Sequence, residues 1–404
     1  MKKVVLLGTF DTKGHEYQFL KEVIESQGVK TLLVDAGTNS PLIKADVSNE
    51  EVAKAEGVNL ADLQASKDRG ASVQTMMKGA KKVVTKLYDE GKVSGIIALG
   101  GSGGTSIATY VMQALPVGVP KIMVSTVAAG NVSPYVGVKD IMMLYSIVDV
   151  SGLNNILKDI LTNAGLAIAG IVKNRKEHKD EASKPLIAAT MFGVTTPCIT
   201  KAREYLESKG YEVVVFHATG AGGKSMESLI ASGYFQGVLD ITTTEWCDEL
   251  VGGVLSAGPT RLDAAALHQI PQVVSVGALD MVNFGPMDTV PKEFKDRNLY
   301  VHNATVTLMR TTVEENRKLG QILAEKLNQS AKGKTIVMLP LKGVSAIDAP
   351  NMPFYGPKED EVLFHEIRTN LKDNVILEEY DLNINDDEFA IKAADNLIKL
   401  MNQK

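Results

Sequence analysis

The chain has 404 residues, 45% of them hydrophobic and 23% charged, with a formal net charge of −5. That length suits two domains better than one core, and a mildly acidic chain without a basic stripe does not suit nucleic acid as a partner. Two cysteines, Cys198 and Cys247, with no CxxC pair, argue against a disulfide framework and a thiolate zinc site. With no run approaching 18 apolar residues and no leader-like start, a cytoplasmic protein without a membrane partner is expected.

Short apolar runs alternate with helical patterns from the start. KKVVLLGTF predicts a buried strand, and GHEYQFLKEVIESQG a helix with Tyr17, Leu20, Val23 and Ile24 on one face and Gly28 as its stop. VKTLLVDAGT reads as a strand, SNEEVAKAEG and SVQTMMKGAKKVVTKLYDEG as helices. VSGIIALGGSGGT is a strand entering a glycine loop, with helix SIATYVMQAL behind it, and PKIMVSTVAAG is another strand. Strand runs without polar alternation, separated by helices, indicate parallel sheets covered on both faces.

The pattern breaks in the polar run Lys173–Lys184, which reads as a linker between residues 1–172 and 185–404. Beyond it the order begins again. PLIAATMFGVTTPCITKAREYLESKGYEVVVFHATG parallels the first strand–helix–strand unit, down to a helix ending in ESxG. VSGIIALGG pairs with FQGVLDITT, and PKIMVSTVAAG with PQVVSVGALDM, which points to a weak internal duplication. The last hundred residues add a strand LYVHNATVTLMRTT, a helix, strands KTIVMLPLKG and NVILEEYDLNIN, and a terminal helix with Phe389, Ile391, Ala394, Leu397 and Met401 as its buried stripe. The expected fold is α/β, two Rossmann-like doubly wound subdomains with mostly parallel sheets.

In such sheets ligands bind beyond the carboxyl ends of the strands. The turn Gly100–Ser106 carries four glycines in its first five positions, more than helix packing needs. Gly100, Gly101, Gly103 and Gly104 let backbone amides approach an anion, and Ser102, Thr105 and Ser106 add hydroxyls. The first turn adds Thr9, Asp11, Thr12 and Lys13. Lys13 suits a phosphate, and Asp11 suits Mg²⁺ or a ribose hydroxyl. His15 follows directly.

A second glycine-rich turn, ATGAGGKS, places Gly222, Gly223, Lys224 and Ser225 before a helix. The P-loop pattern would want Gly at 218, where the chain has Ala218, and Asp240 is the available Mg²⁺ partner. A P-loop, a site for another anion or carboxylate, and a plain turn all fit. His217, Glu227, Glu245, Asp248, Asp280, Asn283 and His302 stand at or near predicted strand ends. They suit a divalent metal or acid–base work, with His217, Glu245 and Asp280 the catalytic candidates. Glu245 and Asp248 also suit a helix N-terminus. His268 and His365 read as ordinary helix residues, and neither cysteine has an adjacent base.

GTFDTKG, GGSGGT, HATGAGGKSME, GVLDITTTEWCDELVGGVLSAGPTRLDAA, GALDMVNFG and VTLMRTTVEEN together resemble the UPF0261 family, the Tm-1-like ATP-binding domain proteins. The resemblance runs over the whole chain. It implies two Rossmann-like subdomains, ATP bound with Mg²⁺ and a homodimer. A stand-alone type without the TIM-barrel region of plant members is expected. It marks GTFDTKG and GGSGGT as ATP contacts, and it supplies no reaction. The expected function is therefore an ATP/Mg²⁺ protein acting on or sensing a small molecule in a cleft between subdomains. A metal-dependent hydrolase or lyase of a small carboxylate, and a non-catalytic ATP-regulated module, are the alternatives.

Overall fold

A computed structural model describes residues 2–66, 68–175 and 184–403. The chain divides into two compact units, residues 1–179 and 180–404. Residues 176–183 of the expected linker lie outside the described residues; its first two, Lys173 and Asn174, still belong to a helix.

Unit 1 runs β1 (Lys3–Gly8), α1 (Phe10–Ser26), β2 (Thr31–Asp35), α2 (Asn49–Ala55), α3 (Leu60–Ser66), α4 (Arg69–Asp89), β3 (Val93–Gly100), α5 (Ser102–Ala114), β4 (Lys121–Ser125), α6 (Ser133–Val136), β5 (Met142–Tyr145) and α7 (Asn155–Asn174). Its strands form a parallel sheet in the order β2-β1-β3-β4-β5. Val4 to Leu7 of β1 are wholly buried, because helices cover both faces of the sheet. By length and composition α7 could cross a membrane. Its Leu157, Leu161, Ala164 and Ile168 are instead buried in the core beside Tyr17 and Leu20.

Unit 2 runs β6 (Leu186–Met191), α8 (Thr196–Ser208), β7 (Glu212–His217), α9 (Ala221–Ala231), β8 (Gly237–Thr242), α10 (Glu245–Val251), α11 (Asp263–Leu267), β9 (Gln272–Gly277), β10 (Met281–Phe284), β11 (Leu299–Asn303), β12 (Val306–Arg310), α12 (Val313–Leu327), β13 (Thr335–Pro340), α13 (Pro357–Asn370), β14 (Val375–Tyr380) and α14 (Asp387–Asn402). The main sheet is parallel, in the order β7-β6-β8-β9-β13-β14. Its first five strands repeat the order of unit 1, with β6 in the place of β1 and β8 in the place of β3. Gly28 and Gly210, both with positive φ, close α1 and α8 in the same way.

Two features depart from the expected pattern. LYVHNATVTLMRTT is a hairpin, β11 and β12, because Asn303 folds back and accepts the Thr305 amide (2.9 Å). GALDMVNFGP contains a strand, β10, which joins that hairpin in an antiparallel sheet of order β10-β12-β11. The buried stripe of α14 is Phe389, Ala390, Ala393, Ala394, Leu397 and Leu400; Ile391 and Met401 lie at its margins.

Candidate functional site

In unit 1 the chain leaves β1 toward β2 on one side of the sheet and β3 toward β4 on the other. The carboxyl ends of β1 and β3 therefore frame a topological switch point. Tyr17 braces them from below. Its hydroxyl lies 2.5 Å from the Leu7 carbonyl and accepts the Leu99 amide at 3.0 Å. Above this brace opens a cavity of about 690 Å³, a size usual for small-molecule sites.

Its lining is part polar, with Thr9, Asp11, Thr12, Lys13 and the backbone of Gly100 to Gly104, and part apolar, with Ala36, Leu63, Val73, Met76 and Ile107. Gly101 caps α5 without a side chain, and the first helical amide to find an acceptor is Thr105, on the Gly101 carbonyl (2.9 Å). Among the described residues the amides of Ser102, Gly103 and Gly104 thus have no acceptor, as expected of an open helix N-terminus. Their glycines are not demanded by the fold. None has a positive φ, a Cβ on Gly103 would meet nothing within 4 Å, and Cβ atoms on Gly101 and Gly104 would make only ordinary contacts, at 3.7 and 3.6 Å. Thr105 turns inward: its hydroxyl bonds the Gly101 carbonyl (2.8 Å) and Ser125 (2.7 Å). Thr105 is not among the residues that line the cavity.

Asp11 Oδ2 accepts three donors, the amides of Thr38 (3.2 Å) and Asn39 (3.1 Å) and Asn39 Nδ2 (3.1 Å). It thereby pins the loop after β2 as a cavity wall. Its Oδ1 is buried and unpartnered against Gly37, where a Cβ would come within 2.8 Å. Behind it, Asp35 accepts Phe10 N–H (3.0 Å) and Gly37 N–H (2.8 Å), while its other oxygen is also unpartnered. Burial raises the Asp35 pKa, against those two amides, and Asp11 adds to the rise.

The equivalent switch point of unit 2, between β6 and β8, is filled. Thr190 donates to Asp240 (2.7 Å) and takes the Thr242 amide (3.0 Å); Thr242 and Thr195 share a hydroxyl bond (2.8 Å). Arg261, 1% exposed, grips Asp240 with both terminal nitrogens (2.5 and 2.7 Å) and Glu245 through Nε (2.7 Å). It also reaches Glu227 (3.2 Å), whose oxygens accept the amides of Leu262 and Ala264, each at 2.7 Å.

In this structure the turn ATGAGGKS is engaged by the same network. The amides of Gly220 and Gly223 donate to Glu245 Oε1, at 2.6 and 3.1 Å. An internal carboxylate already occupies the place where a phosphate would lie. The glycines are there for packing: a Cβ on Gly222 would stand 1.8 Å from the His217 carbonyl, and one on Gly223 2.2 Å from Glu245. Ser225 bonds back to the Ala221 carbonyl (2.8 Å), and Lys224 is exposed.

The three catalytic candidates do not form a common centre. His217 is exposed at the end of β7 beside the Phe192 ring (5.4 Å). Glu245 is the buried partner of Arg261. Asp280 is wholly buried, accepts the Ser345 hydroxyl (2.8 Å), and has one unpartnered oxygen. Burial pushes its pKa up to about 7, helped by Asp348 and opposed by Arg310. Asp360 is pushed to about 8 by the same causes, and Asp248 to about 6, chiefly by burial. Burial also lifts both thiols, that of Cys198 to about 12. Among the described residues no three His, Cys, Asp or Glu side chains converge as a metal-ligand set.

Arg69, Ser72 and Asp149 also face the unit 1 cavity, though no motif drew attention to them. Arg261 likewise sits in PTRLDAA with no local pattern to mark it. Asp240, Glu245 and Glu227 reach it only through the tertiary fold.

The architecture is that of an α/β protein with two mostly parallel, Rossmann-like sheets, one of them open at its switch point. Residues 2–177 match the N-terminal domain, and residues 184–401 the C-terminal domain, of the "Uncharacterised protein family (UPF0261)". The chain belongs to the UPF0261 family. It is 57% identical over 402 residues to a UPF0261 protein of Clostridium tetani, covering 99% of both. It is 42% identical over 426 residues to the ToMV susceptible protein tm-1(GCR26) of Solanum lycopersicum, covering 98% of this chain. It spans only 56% of that plant protein's length. The Methanocaldococcus jannaschii UDP-GlcNAc 2-epimerase, solved with UDP-GlcNAc and UDP, aligns with 68% of this chain and 83% of its own. At 10% identity and a TM-score of 0.22, that likeness bears on neither fold nor function.

Proposed function

We propose that unit 1 binds a nucleotide, ATP with Mg²⁺, in the cavity beyond β1 and β3, and that binding serves action on, or sensing of, a small molecule. The observation that carries this reading is the trio Gly101, Gly103 and Gly104. The fold tolerates side chains there, yet the chain leaves them bare, beside three free amides at a helix N-terminus. Bare backbone with a positive dipole end is what an approaching phosphate requires. Lys13 adds a cation to the same wall, and Leu63, Val73, Met76 and Ile107 supply an apolar face for a base. At the switch point of unit 2, by contrast, Asp240, Glu245 and Glu227 are spent on Arg261 and backbone amides, which favours nucleotide binding over a hydrolytic centre there.

The residues present fit Mg²⁺. A bound Mg²⁺ is commonly held by one or two carboxylates together with substrate phosphates, and it neutralises phosphate charge. Asp11 would hold it, because its Oδ1 is an ionisable oxygen with no protein partner. Thr9 and Thr12, their hydroxyls 3.0 Å apart, line the same cavity.

Isothermal titration of the purified chain with ATP and Mg²⁺ tests the proposal. The expected result is saturable binding that Gly103→Val weakens by at least about tenfold, the scale of one lost charge-assisted hydrogen bond. Thermal unfolding of the variant should match the parent. Absence of binding in the parent, or full affinity in Gly103→Val, contradicts it.

A further inference from the structure

Arg69 is the first residue of α4, and α4 turns Arg69, Ser72, Val73 and Met76 toward the cavity at i, i+3, i+4 and i+7. A cation at a helix N-terminus opposes the helix dipole, so Arg69 does nothing for the stability of its own helix. It also lacks the usual compensation. Asp68 next to it is engaged in capping, accepting the Ala71 amide at 3.0 Å. Asp11 faces the loop after β2. Neither Arg69 nor Lys13 pairs with a carboxylate among the described residues.

We propose that Arg69 is an anion-reading residue, and that Lys13 and Arg69 together make this cavity select ligands bearing two or more linked phosphates over a monophosphate. The proposal rests on the nucleotide reading of the same cavity. The open amides of Ser102 to Gly104 satisfy one phosphate group. Lys13 and Arg69, two further cations on the wall without a carboxylate partner among the described residues, can each meet a phosphate group beyond the first. The guanidinium, with its planar fork of donors, suits phosphate oxygens in particular. Asp11, Asp68 and Asp149 also line the cavity, so with Lys13 and Arg69 its charged side chains sum to −1, and the selectivity comes from where the two cations stand, not from net charge.

The test is titration of the parent chain, Arg69→Ala and Arg69→Lys with Mg²⁺ and, separately, ATP, ADP, AMP and inorganic tripolyphosphate. The parent should bind ATP at least about tenfold more tightly than AMP. Arg69→Ala should lose about ten- to a hundredfold for ATP and tripolyphosphate, and less than about twofold for AMP, with Arg69→Lys in between. Unfolding temperatures should be unchanged, which a merely structural role would not allow alongside selective loss. If Arg69→Ala binds ATP normally, or weakens ATP and AMP alike, the proposal is overturned while the nucleotide reading stands. If the parent binds tripolyphosphate through Arg69 but no nucleotide, Arg69 reads anions and the nucleotide reading fails. If the parent binds none of the four, both fall.

Discussion

Two glycine-rich turns each join a strand to a helix, Gly100–Gly104 after the central strand β3 and Gly220–Gly223 after the edge strand β7, and they do opposite things. At Gly100–Gly104 the helix amides are open and three glycines stand where side chains would fit. At Gly220–Gly223 the amides close on Glu245, and the glycines are compelled by His217, Ser256 and Glu245 at 1.8 to 2.7 Å. The difference teaches that a glycine-rich strand-to-helix turn is not itself evidence of a ligand. What matters is whether the glycine is required by packing or is left bare without need, and whether the chain supplies its own anion.

Arg261→Met should separate the units most sharply. It strands three carboxylates in the filled switch point, and leaving buried charge uncompensated costs about 3–5 kcal/mol. Denaturant unfolding reads this directly, and a loss below about 1 kcal/mol would mean that the network does not hold unit 2 together. Next comes one substitution made in both turns. Gly223→Ala drives a Cβ into Glu245 and should cost about 1–3 kcal/mol, as overpacking does. Gly103→Ala should be neutral or stabilise by up to about 1 kcal/mol, because alanine is the better helix former. Equal effects at the two positions would erase the distinction drawn here.

The acidic cluster of unit 2 gives a pH signature. Asp280 and Asp360 hold protons more tightly when folded (about 7 and 8) than an exposed aspartate at about 3.9. Their contribution is therefore fully present at low pH and is lost as pH rises through the folded values. Stability should fall between about pH 4 and pH 8, by up to a few kcal/mol, and Asp280→Asn should flatten that fall. A pH profile identical to the parent's would show that Asp280 does not titrate with folding. The smallest effect belongs to Lys224→Ala. An exposed lysine beside a closed turn should change stability by less than about 0.5 kcal/mol and nucleotide affinity not at all. A loss of ATP binding in this variant would move the phosphate site to unit 2.

Much of the fold was legible in the chain. The unbroken apolar runs announced buried parallel strands, and the ESxG helix ends at Gly28 and Gly210 announced the repeat that the strand orders share. The hairpin at Asn303 was missed because β11 and β12 read as one β-rich run, and β10 because its four residues look like a turn. The site was legible only in part. GTFDTKG and GGSGGTS were both singled out, and Thr9, Asp11, Thr12 and Lys13 of the first line one cavity with Gly100 to Gly104 of the second. The closing of ATGAGGKS by Glu245 was not legible, since Glu245 and Arg261 lie 25 and 41 positions from Gly220. Arg69 carried only a faint mark, a cation at the wrong end of its helix.

The most direct test is to follow the backbone amides themselves, by ¹⁵N–¹H correlation spectra of the labelled chain during titration with ATP and Mg²⁺. The account predicts saturable shifts of the Ser102, Gly103 and Gly104 resonances while Gly220 and Gly223 stay where they are. Shifts at Gly220 and Gly223 with Ser102 to Gly104 silent would contradict it.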